Sequence, residues 1–267
     1  MGGTATTQEP VRTTRDGPVA TITLDRPQAY NSFDVETLRR MLDAVQDHSY
    51  DPDVRAVVLT GTGKTFCTGA DLTEMKRRRD DAPRLFDALT LHYHAIVEEI
   101  RSSDTAFVAA VNGVAAGGGV GLALACDLVV ADPRARLQLA YANLGVSPDG
   151  GASAHLVRAV GPHRAREALL LDDGIDATRM LVWGLANRIA EEGAAVDEAH
   201  AVAVRLAERA PYTVKAVKNL VERASHESLH DVLDGERRLI IDAAGRADFQ
   251  EGLDAFLEKR RPRFTGR

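Results

Sequence analysis

The 267-residue sequence has little of several features that would place it in a specialised class of protein. Its two cysteines, Cys67 and Cys126, form no CxxC pair, so we expect neither a disulfide framework nor a metal site built on cysteine. The longest apolar runs, such as Phe107–Val111, are much too short to span a membrane. Residues 1–17 lack the apolar segment of a secretory signal. We therefore expect a cytoplasmic protein with no membrane partner.

The sequence also lacks the excess of basic residues that a nucleic-acid-binding domain carries. Its 39 acidic and 33 basic residues give a net charge of −6, so we expect no nucleic-acid partner. Two basic runs, at 76–79 and 259–263, are typical of solvated helix ends or, alternatively, of a site for the phosphates of a small ligand. A hydrophobic content of 45 % beside 27 % charged residues indicates a globular chain.

Strand-like and helix-like segments alternate up to about residue 160. Strands are predicted at Val19–Leu24, Val54–Thr60, Phe107–Val111, Leu128–Ala131 and Arg136–Leu139. Asp34 is predicted to cap a helix. A long amphipathic helix is predicted from the spacing of Leu85, Leu89, Tyr93, Ile96 and Ile100. Farther on the strand signals stop, and helices are predicted over 196–209, 212–224, 229–243 and 249–259.

This order of elements predicts two regions. Residues 1–195 would form an α/β layered domain, and residues 196–267 a helical region. The helical region has apolar faces that need cover, either from the core of the same chain or from a neighbouring subunit.

Two glycine-containing turns are candidates for presenting free backbone N–H groups. Phe66–Leu72 follows a predicted strand, and Asn112–Asp127 has three consecutive glycines before a helix predicted to be apolar and buried. Amides at the start of a helix can hold a carbonyl oxygen as it gains negative charge. An ordinary strand–helix turn, or close packing of a helix on a strand, would explain the glycines equally well.

Together these segments resemble the crotonase family, also called the enoyl-CoA hydratase/isomerase family. The resemblance covers most of the chain and rests on 24–32, 66–72, 112–127, 144–161 and 256–260. It implies an α/β fold, a spiral of β-β-α units with a helical C-terminal region that drives trimer formation. The substrate would be an acyl-CoA thioester bound by a homotrimer or a dimer of trimers. Because CoA is then part of the substrate, no separate cofactor and no metal are expected.

The resemblance also implies roles for individual residues. The family's two oxyanion donors correspond to the backbone N–H groups of Ala70 and Gly118. Contacts to CoA and the acyl group correspond to Gln28, Ala29, Tyr30, Asp71, Leu72 and Tyr141, with Phe256 and Lys259. In relatives the last two commonly reach the CoA of a neighbouring subunit.

The two glutamates of the family's hydratases are missing, because their positions are Gly121 and Tyr141 here. Asp149, in a Pro-Asp-Gly turn, stands where several isomerases of the family carry a catalytic acid. One carboxylate suffices to move a proton from the α-carbon of a 3-enoyl thioester to a carbon two positions away. Alternatively, Asp149 is only a turn residue or a helix N-cap. Tyr141 either fills the space of the missing glutamate or donates a hydrogen bond to the substrate.

The sequence therefore predicts an isomerase that shifts a double bond in an unsaturated or ring-derived acyl-CoA, as a Δ3-Δ2-enoyl-CoA isomerase does. The alternatives are a hydrolase or dehalogenase with Asp149 as nucleophile, an enoyl-CoA hydratase, and a non-catalytic acyl-CoA binder. His155 is expected on a helix surface. His92 and His94 are expected to point to different faces of their helix, which makes a poor metal pair.

Overall fold

The computed structural model describes residues 9–266. Residues 1–8 and 267 lie outside the described part, which therefore includes only some of the segment 1–17 in which no secretory signal is expected. No helix between residues 9 and 266 is both long and apolar enough to cross a membrane.

Ten strands within the described residues form two sheets. The larger sheet has the order β1-β2-β3-β5-β7-β10 and the smaller the order β4-β6-β8-β9. Neighbouring strands are parallel except in the pairs β1–β2 and β8–β9. The strands are β1 Val11–Asp16, β2 Val19–Leu24, β3 Ala56–Gly61, β4 Thr65–Cys67, β5 Ala106–Val111, β6 Val114–Ala116, β7 Leu128–Ala131, β8 Arg136–Gln138, β9 Ile175–Asp176 and β10 Arg188–Ile189.

Eleven α-helices lie within the same residues. They are α1 Val35–Tyr50, α2 Leu72–Arg77, α3 Ala82–Ser102, α4 Gly118–Ala125, α5 Tyr141–Leu144, α6 Ala152–Leu171, α7 Ala177–Val182, α8 Ala195–Ala207, α9 Pro211–Ala224, α10 Leu229–Ala244 and α11 Ala247–Leu257.

The chain winds through the two sheets in repeated β-β-α units. The pairs β3 and β4, β5 and β6, and β7 and β8 each place their first strand in the larger sheet and their second in the smaller one. Helices follow each pair, so that every unit adds one parallel strand to each sheet. This arrangement confirms the predicted α/β fold built from β-β-α units.

The long helices form where capping and apolar spacing predict them. The Asp34 carboxylate accepts the Thr37 N–H at 2.8 Å and so begins α1. The five apolar residues from which α3 was predicted are all buried, and they pack in the main hydrophobic core between α1 and the sheets. These two helices therefore confirm the prediction.

Several short strands were not predicted. The expectation that strands stop near residue 160 is wrong, because β9 and β10 lie beyond it. Each is only two residues long, which is too short to show an alternating pattern. The strands β4 and β6 have three residues each and were not predicted for the same reason. The two glycine turns follow directly after these strands.

The C-terminal helices occur where the sequence predicts them. Buried side chains of α8, including Ala199 and Val202, pack on the larger sheet against Val58 and Val108. In contrast, α9 has no buried residue in the single chain. The division of the chain at residue 195 into a core and an oligomerisation region stays a prediction.

Candidate active site

The two predicted oxyanion turns lie side by side. They follow β4 and β6, which pair in parallel, and the carboxyl ends of parallel neighbours meet at one edge of a sheet. A Cβ atom added to Gly69 would lie 2.8 Å from the Gly118 nitrogen, which measures how closely the turns approach. The structure thus brings together the two segments from which the sequence predicts oxyanion donors.

The orientation of the Ala70 amide follows from a parallel bridge with Phe33. In it the Phe33 N–H donates to the Gly69 carbonyl at 2.8 Å, and the Asp71 N–H donates to the Phe33 carbonyl at 3.0 Å. Successive amides of an extended chain point to opposite sides, so the Ala70 N–H points away from Phe33. Within residues 9–266, the N–H groups of Ala70 and Gly118 donate to no other protein group. Both are available to an oxygen atom of a ligand.

The second amide stands at the start of a buried helix. Gly117 has a positive φ of 50°, and Gly118 is the first residue of α4, whose residues are nearly all buried. The first N–H groups of a helix have no intrahelical partner and lie at its positive end. Packing also requires these glycines, because a Cβ on Gly118 would lie 2.6 Å from the Phe33 ring and one on Gly119 would overlap the Cys67 carbonyl. Close packing of α4 on β4 and Phe33 therefore explains the glycine run, and the role of the Gly118 N–H as an oxyanion donor stays a prediction.

Asp149 is partly buried and held by one specific partner. The Tyr141 hydroxyl donates to its carboxylate at 2.9 Å. Burial raises the pKa of Asp149, while the Tyr141 hydroxyl and nearby His94 oppose this shift. Burial and the adjacent carboxylate raise the pKa of Tyr141, so this phenol keeps its proton. The result is a carboxylate of increased basicity in a fixed orientation.

Two alternatives for these residues need correction. Asp149 is not the N-cap of α6, because Gly151 occupies that position and no side chain caps the helix. The backbone carbonyl of Asp149, instead, accepts the Ala152 N–H at 3.1 Å. Tyr141 does more than fill the space of a missing glutamate, since its hydroxyl bonds Asp149.

Two residues of α3 join this site that the sequence did not identify as site residues. The Tyr93 hydroxyl donates to the carbonyl of Gly118, and its ring centroid lies 5.2 Å from that of Phe33. Nε2 of His94 accepts a long hydrogen bond of 3.5 Å from the N–H of Gly150. Helical spacing predicts that Tyr93 is buried, but it cannot say which turn the helix faces. Tyr93 continues the buried apolar face of α3, whereas the exposed His94 lies on another face, so no pattern in the sequence joins the two residues.

Gly121, one of the two positions where the family's hydratases have a glutamate, has no room for a side chain. A Cβ on Gly121 would lie 2.6 Å from the Tyr93 hydroxyl oxygen and 2.7 Å from the Gly150 carbonyl oxygen. Contacts this short do not occur at real Cβ atoms, so a carboxylate at this position requires rearrangement of both neighbours. The absence of the acid is thus built into the packing.

The predicted CoA-binding residues near the N-terminus lie beside the Ala70 turn. Gln28 and Ala29 belong to a short 3-10 helix, and Tyr30 follows it with 66 % of its surface exposed. The Thr68 hydroxyl donates to the Tyr30 carbonyl at 3.3 Å and so links this segment to the turn. The structure brings the two segments together.

Asp71 has a clear structural role in this turn. Its carboxylate caps α2 and pairs with the Arg26 guanidinium at 3.0 Å. Burial alone would raise the pKa of Asp71, but two backbone N–H groups and the Arg26 guanidinium lower it. The next residue, Leu72, is largely exposed and is free to contact a ligand.

Phe256 and Lys259 lie apart from these segments. Phe256 is 81 % exposed at the end of α11, and no hydrogen bond, ion pair or ring contact in the described residues joins either side chain to the Ala70 turn. In the adjacent basic run, Arg260 pairs with Glu251 at 2.7 Å. One chain alone does not bring these two residues to the site.

His155 differs from expectation, and the metal prediction stays open. His155 is half-buried rather than on the helix surface, and burial lowers its pKa to about 4. Among residues 9–266, no three His, Cys, Asp or Glu side chains are grouped so that they could hold a metal ion.

Comparison with known proteins identifies the family of this site. The sequence model described as enoyl-CoA hydratase/isomerase matches residues 14–267. A crystal structure of an enoyl-CoA hydratase from Polaromonas has a TM-score of 0.92 and 35 % identity, over 95 % of this chain and 99 % of that one.

Two curated relatives carry other activities in their names. A 1,2-epoxyphenylacetyl-CoA isomerase of Escherichia coli is 34 % identical over 93 % of this chain and 95 % of its own length. A 4-chlorobenzoyl coenzyme A dehalogenase of Arthrobacter is 34 % identical over 90 % of this chain and 88 % of its own. Fold, family match and relatives agree, and the chain belongs to the enoyl-CoA hydratase/isomerase family of crotonase enzymes.

Proposed function

We propose that this enzyme is an acyl-CoA double-bond isomerase, of the Δ3-Δ2-enoyl-CoA type or acting on a ring-derived acyl-CoA. The observation that carries the proposal is one partly buried carboxylate, Asp149, held by Tyr141 next to the Gly118 helix. The space at Gly121 has no room for a second carboxylate. A double-bond shift needs one acid/base group, whereas hydration by the family's usual pair needs two.

The proposed reaction starts when the thioester oxygen binds between the N–H groups of Ala70 and Gly118. The Asp149 carboxylate removes a proton from the α-carbon, and the electron pair moves to the thioester oxygen as an enolate. The double bond then moves into conjugation, and protonated Asp149 returns the same proton two carbons farther along. Substrate and product are isomers, so no water, oxidant or reductant is consumed. Burial suits Asp149 to this role, because it raises the pKa of the carboxyl and so the basicity of its ionised form.

The proposal extends to the CoA contacts and the assembly. CoA would lie along Gln28, Ala29, Tyr30, Asp71 and Leu72, with Phe256 and Lys259 from a neighbouring subunit. A homotrimer is supported by large apolar side chains that α9, α10 and α11 leave exposed: Val217, Val221, Leu233, Ile240, Ile241, Leu253 and Phe256. A cytoplasmic location accords with two cysteines that are both buried and unpaired.

Turnover of a 3-enoyl-CoA tests the proposal. The wild-type enzyme is expected to generate the ultraviolet absorbance of the conjugated 2-enoyl thioester. Asp149→Asn should lower kcat by a factor on the order of 10²–10⁴ while leaving CoA binding nearly unchanged. The matched control is Asp173→Asn, an exposed aspartate, which should keep wild-type turnover. Equal turnover by Asp149→Asn and the wild type would remove Asp149 from the mechanism.

His94 favours a second candidate, in which Asp149 is a nucleophile. His94 lies close enough to Asp149 to lower the pKa of that carboxyl. A histidine in this position can act as a base that activates water for hydrolysis of an ester intermediate. In a dehalogenation the carboxylate would displace halide from an aryl carbon. Water would then attack the Asp149 carboxyl carbon and release the hydroxylated acyl-CoA.

A single turnover with a 4-halobenzoyl-CoA in H₂¹⁸O separates the two candidates. The nucleophilic route releases halide and leaves ¹⁸O in the peptide that contains Asp149. Isomerisation leaves that peptide unlabelled. Release of free CoA would indicate thioester hydrolysis, and a 3-hydroxyacyl product from a 2-enoyl-CoA would indicate a hydratase.

A further inference from the structure

Tyr93 connects the two halves of the candidate site. It lies on α3, is only 1 % exposed, and donates its hydroxyl hydrogen bond to the carbonyl of Gly118. The same phenol lies against Gly121, one turn along α4, and against Gly150 in the turn that carries Asp149. One side chain thus touches both the helix of the proposed oxyanion donor and the turn of the acid.

The packing around the Tyr93 ring leaves it little freedom. A Cβ on Gly121 would lie 2.6 Å from the phenol oxygen, and one on Gly150 would overlap the ring. Phe33 covers another side of the ring, at a centroid distance of 5.2 Å. Two glycines and one aromatic ring therefore shape a slot for this tyrosine.

The residue that receives this hydrogen bond needs an external restraint. Gly118 lies between Gly117, which has a positive φ, and Gly119, and consecutive glycines have wide conformational freedom. A donor stabilises an oxyanion well only when it is already aimed at the place where charge develops. A hydrogen bond to the Gly118 carbonyl limits rotation of the residue whose N–H is the proposed donor.

We infer that Tyr93 is a positioning residue, which holds the first residue of α4 so that the Gly118 N–H stays aimed at the substrate oxygen. The inference rests on the proposed oxyanion role of Gly118. Tyr93 acts through the backbone and does not touch the reacting atoms. Its loss should therefore reduce polarisation of the bound thioester and kcat, with little effect on KM.

Tyr93→Phe tests this inference, because it removes the hydroxyl and keeps the ring in its slot. The probe is cinnamoyl-CoA, whose conjugated thioester absorbs at longer wavelength when its carbonyl is polarised. We expect a red shift on binding to the wild type and less than half of that shift in Tyr93→Phe. With a 3-enoyl-CoA, kcat should fall roughly tenfold, less than the loss of a whole oxyanion donor, and KM should stay within about twofold.

Tyr50→Phe is the matched control. The Tyr50 hydroxyl also bonds α3, through the Glu99 carboxylate at 3.2 Å, but Tyr50 is 72 % exposed on α1. This variant should keep the full red shift and the wild-type kcat. Thermal melting of both variants checks that they are folded. As a further check, 3-fluorotyrosine at position 93 keeps the hydroxyl and should keep the shift even if Tyr93→Phe is unstable.

The outcomes separate this inference from the proposed function. A wild-type enzyme that binds cinnamoyl-CoA without a red shift would refute the oxyanion role of Gly118, and the inference about Tyr93 with it. A red shift without isomerisation of 3-enoyl-CoA would refute the isomerase and leave the Tyr93 test valid. An equal shift and an equal kcat in Tyr93→Phe and the wild type would overturn the inference.

Discussion

At the scale of single residues, two opposing influences set the basicity of Asp149. Burial disfavours its ionised form and raises its pKa. The hydrogen bond from Tyr141 favours the ionised form and lowers that pKa again. If ionised Asp149 is the base, kcat/KM should fall on the acid side of the pH profile, with a midpoint above the usual aspartate value of 3.8.

Tyr141→Phe should move this acid limb to higher pH. The substitution removes a donor that stabilises the carboxylate, so the pKa of Asp149 rises and a higher pH is needed to ionise it. The displacement follows from loss of a hydrogen bond to an ionised carboxylate, which is stronger than a bond between neutral groups. The measurement is kcat/KM against pH for both enzymes. A midpoint that stays in place, or moves to lower pH, would show that Tyr141 does not tune Asp149.

Gly69→Ala should block the proposed oxyanion site. The added methyl group would lie 2.8 Å from the Gly118 nitrogen, and the backbone at residue 69 has φ of +77°. We expect a loss of kcat on the order of 10²–10³, as for removal of an oxyanion donor. Turnover of 3-enoyl-CoA and thermal melting would be measured together, because alanine at positive φ also costs stability.

Gly63→Ala is the matched control for this strain. Its φ is +80°, but the nearest atom to an added Cβ is 4.0 Å away, on Pro27. It should lose only the stability that a positive φ costs an alanine, and it should keep its turnover. If the two alanine variants lost activity equally, backbone strain rather than obstruction of the Gly118 amide would be the cause.

At the residue scale, the sequence points to a candidate where a motif is local. Asp149 is a candidate because its Pro-Asp-Gly turn is continuous in sequence, and its catalytic role stays a prediction. The contacts of Tyr93 and His94 with Gly118 and Gly150 join residues that lie 25 and 56 positions apart. Such contacts depend on how α3 packs against α4 and against the turn that contains Asp149, and a single sequence does not predict that packing.

At the scale of secondary-structure elements, short elements position the site and long elements support it. The long helices α1 and α3 were predictable because many buried positions repeat at helical spacing. The strands β4 and β6 have three residues each, so their pairing in the smaller sheet could not be predicted from alternation. Yet that pairing is what places the Ala70 and Gly118 turns side by side.

The start of α2 offers an element-scale test. Asp71 accepts the N–H of Thr73 at 2.9 Å and pairs with Arg26, so it fixes the turn that contains Ala70. Asp71→Ala should cost about 1 kcal/mol of stability through loss of the cap. Because the turn loosens beside the proposed CoA contacts, KM for the acyl-CoA should also rise by roughly fivefold, equivalent to about 1 kcal/mol.

Asp176→Ala provides the comparison, because Asp176 caps α7 by accepting the Arg179 N–H at 2.8 Å. It should lose a similar amount of stability with no change in KM. Chemical denaturation and steady-state kinetics on both variants give the answer. A KM that rises equally in the two would assign the effect to general destabilisation rather than to the Ala70 turn.

At the scale of the whole molecule, the single chain leaves part of its predicted site unassembled. The apolar faces of α9, α10 and α11 are exposed, and Lys259 lies apart from the Ala70 turn. Apolar helical periodicity predicted these helices well, since each boundary falls within about two residues of the observed one. The sequence could not show what covers these apolar faces. The core of the same chain and a neighbouring subunit both offer apolar groups, so either could pack against them.

A subunit-mixing experiment tests whether Lys259 completes the site of a neighbour. Lys259→Ala removes a cation proposed to bind a CoA phosphate, and a lost charged hydrogen bond of about 1.5–3 kcal/mol lowers kcat/KM by roughly tenfold or more. Asp149→Asn is expected to be inactive for lack of its acid. Each variant alone should therefore show little activity at low substrate concentration.

Co-expression of the two variants should restore activity if the site is shared between subunits. A site with Asp149 from the Lys259→Ala chain and Lys259 from the Asp149→Asn chain is intact, and random assembly in equal amounts makes roughly one quarter of sites this way. The control is the same two proteins purified separately and mixed just before the assay, without time for subunit exchange. If co-expressed protein shows only the mean of its parents, Lys259 does not act across the interface, because a site within one chain always carries one of the two lesions.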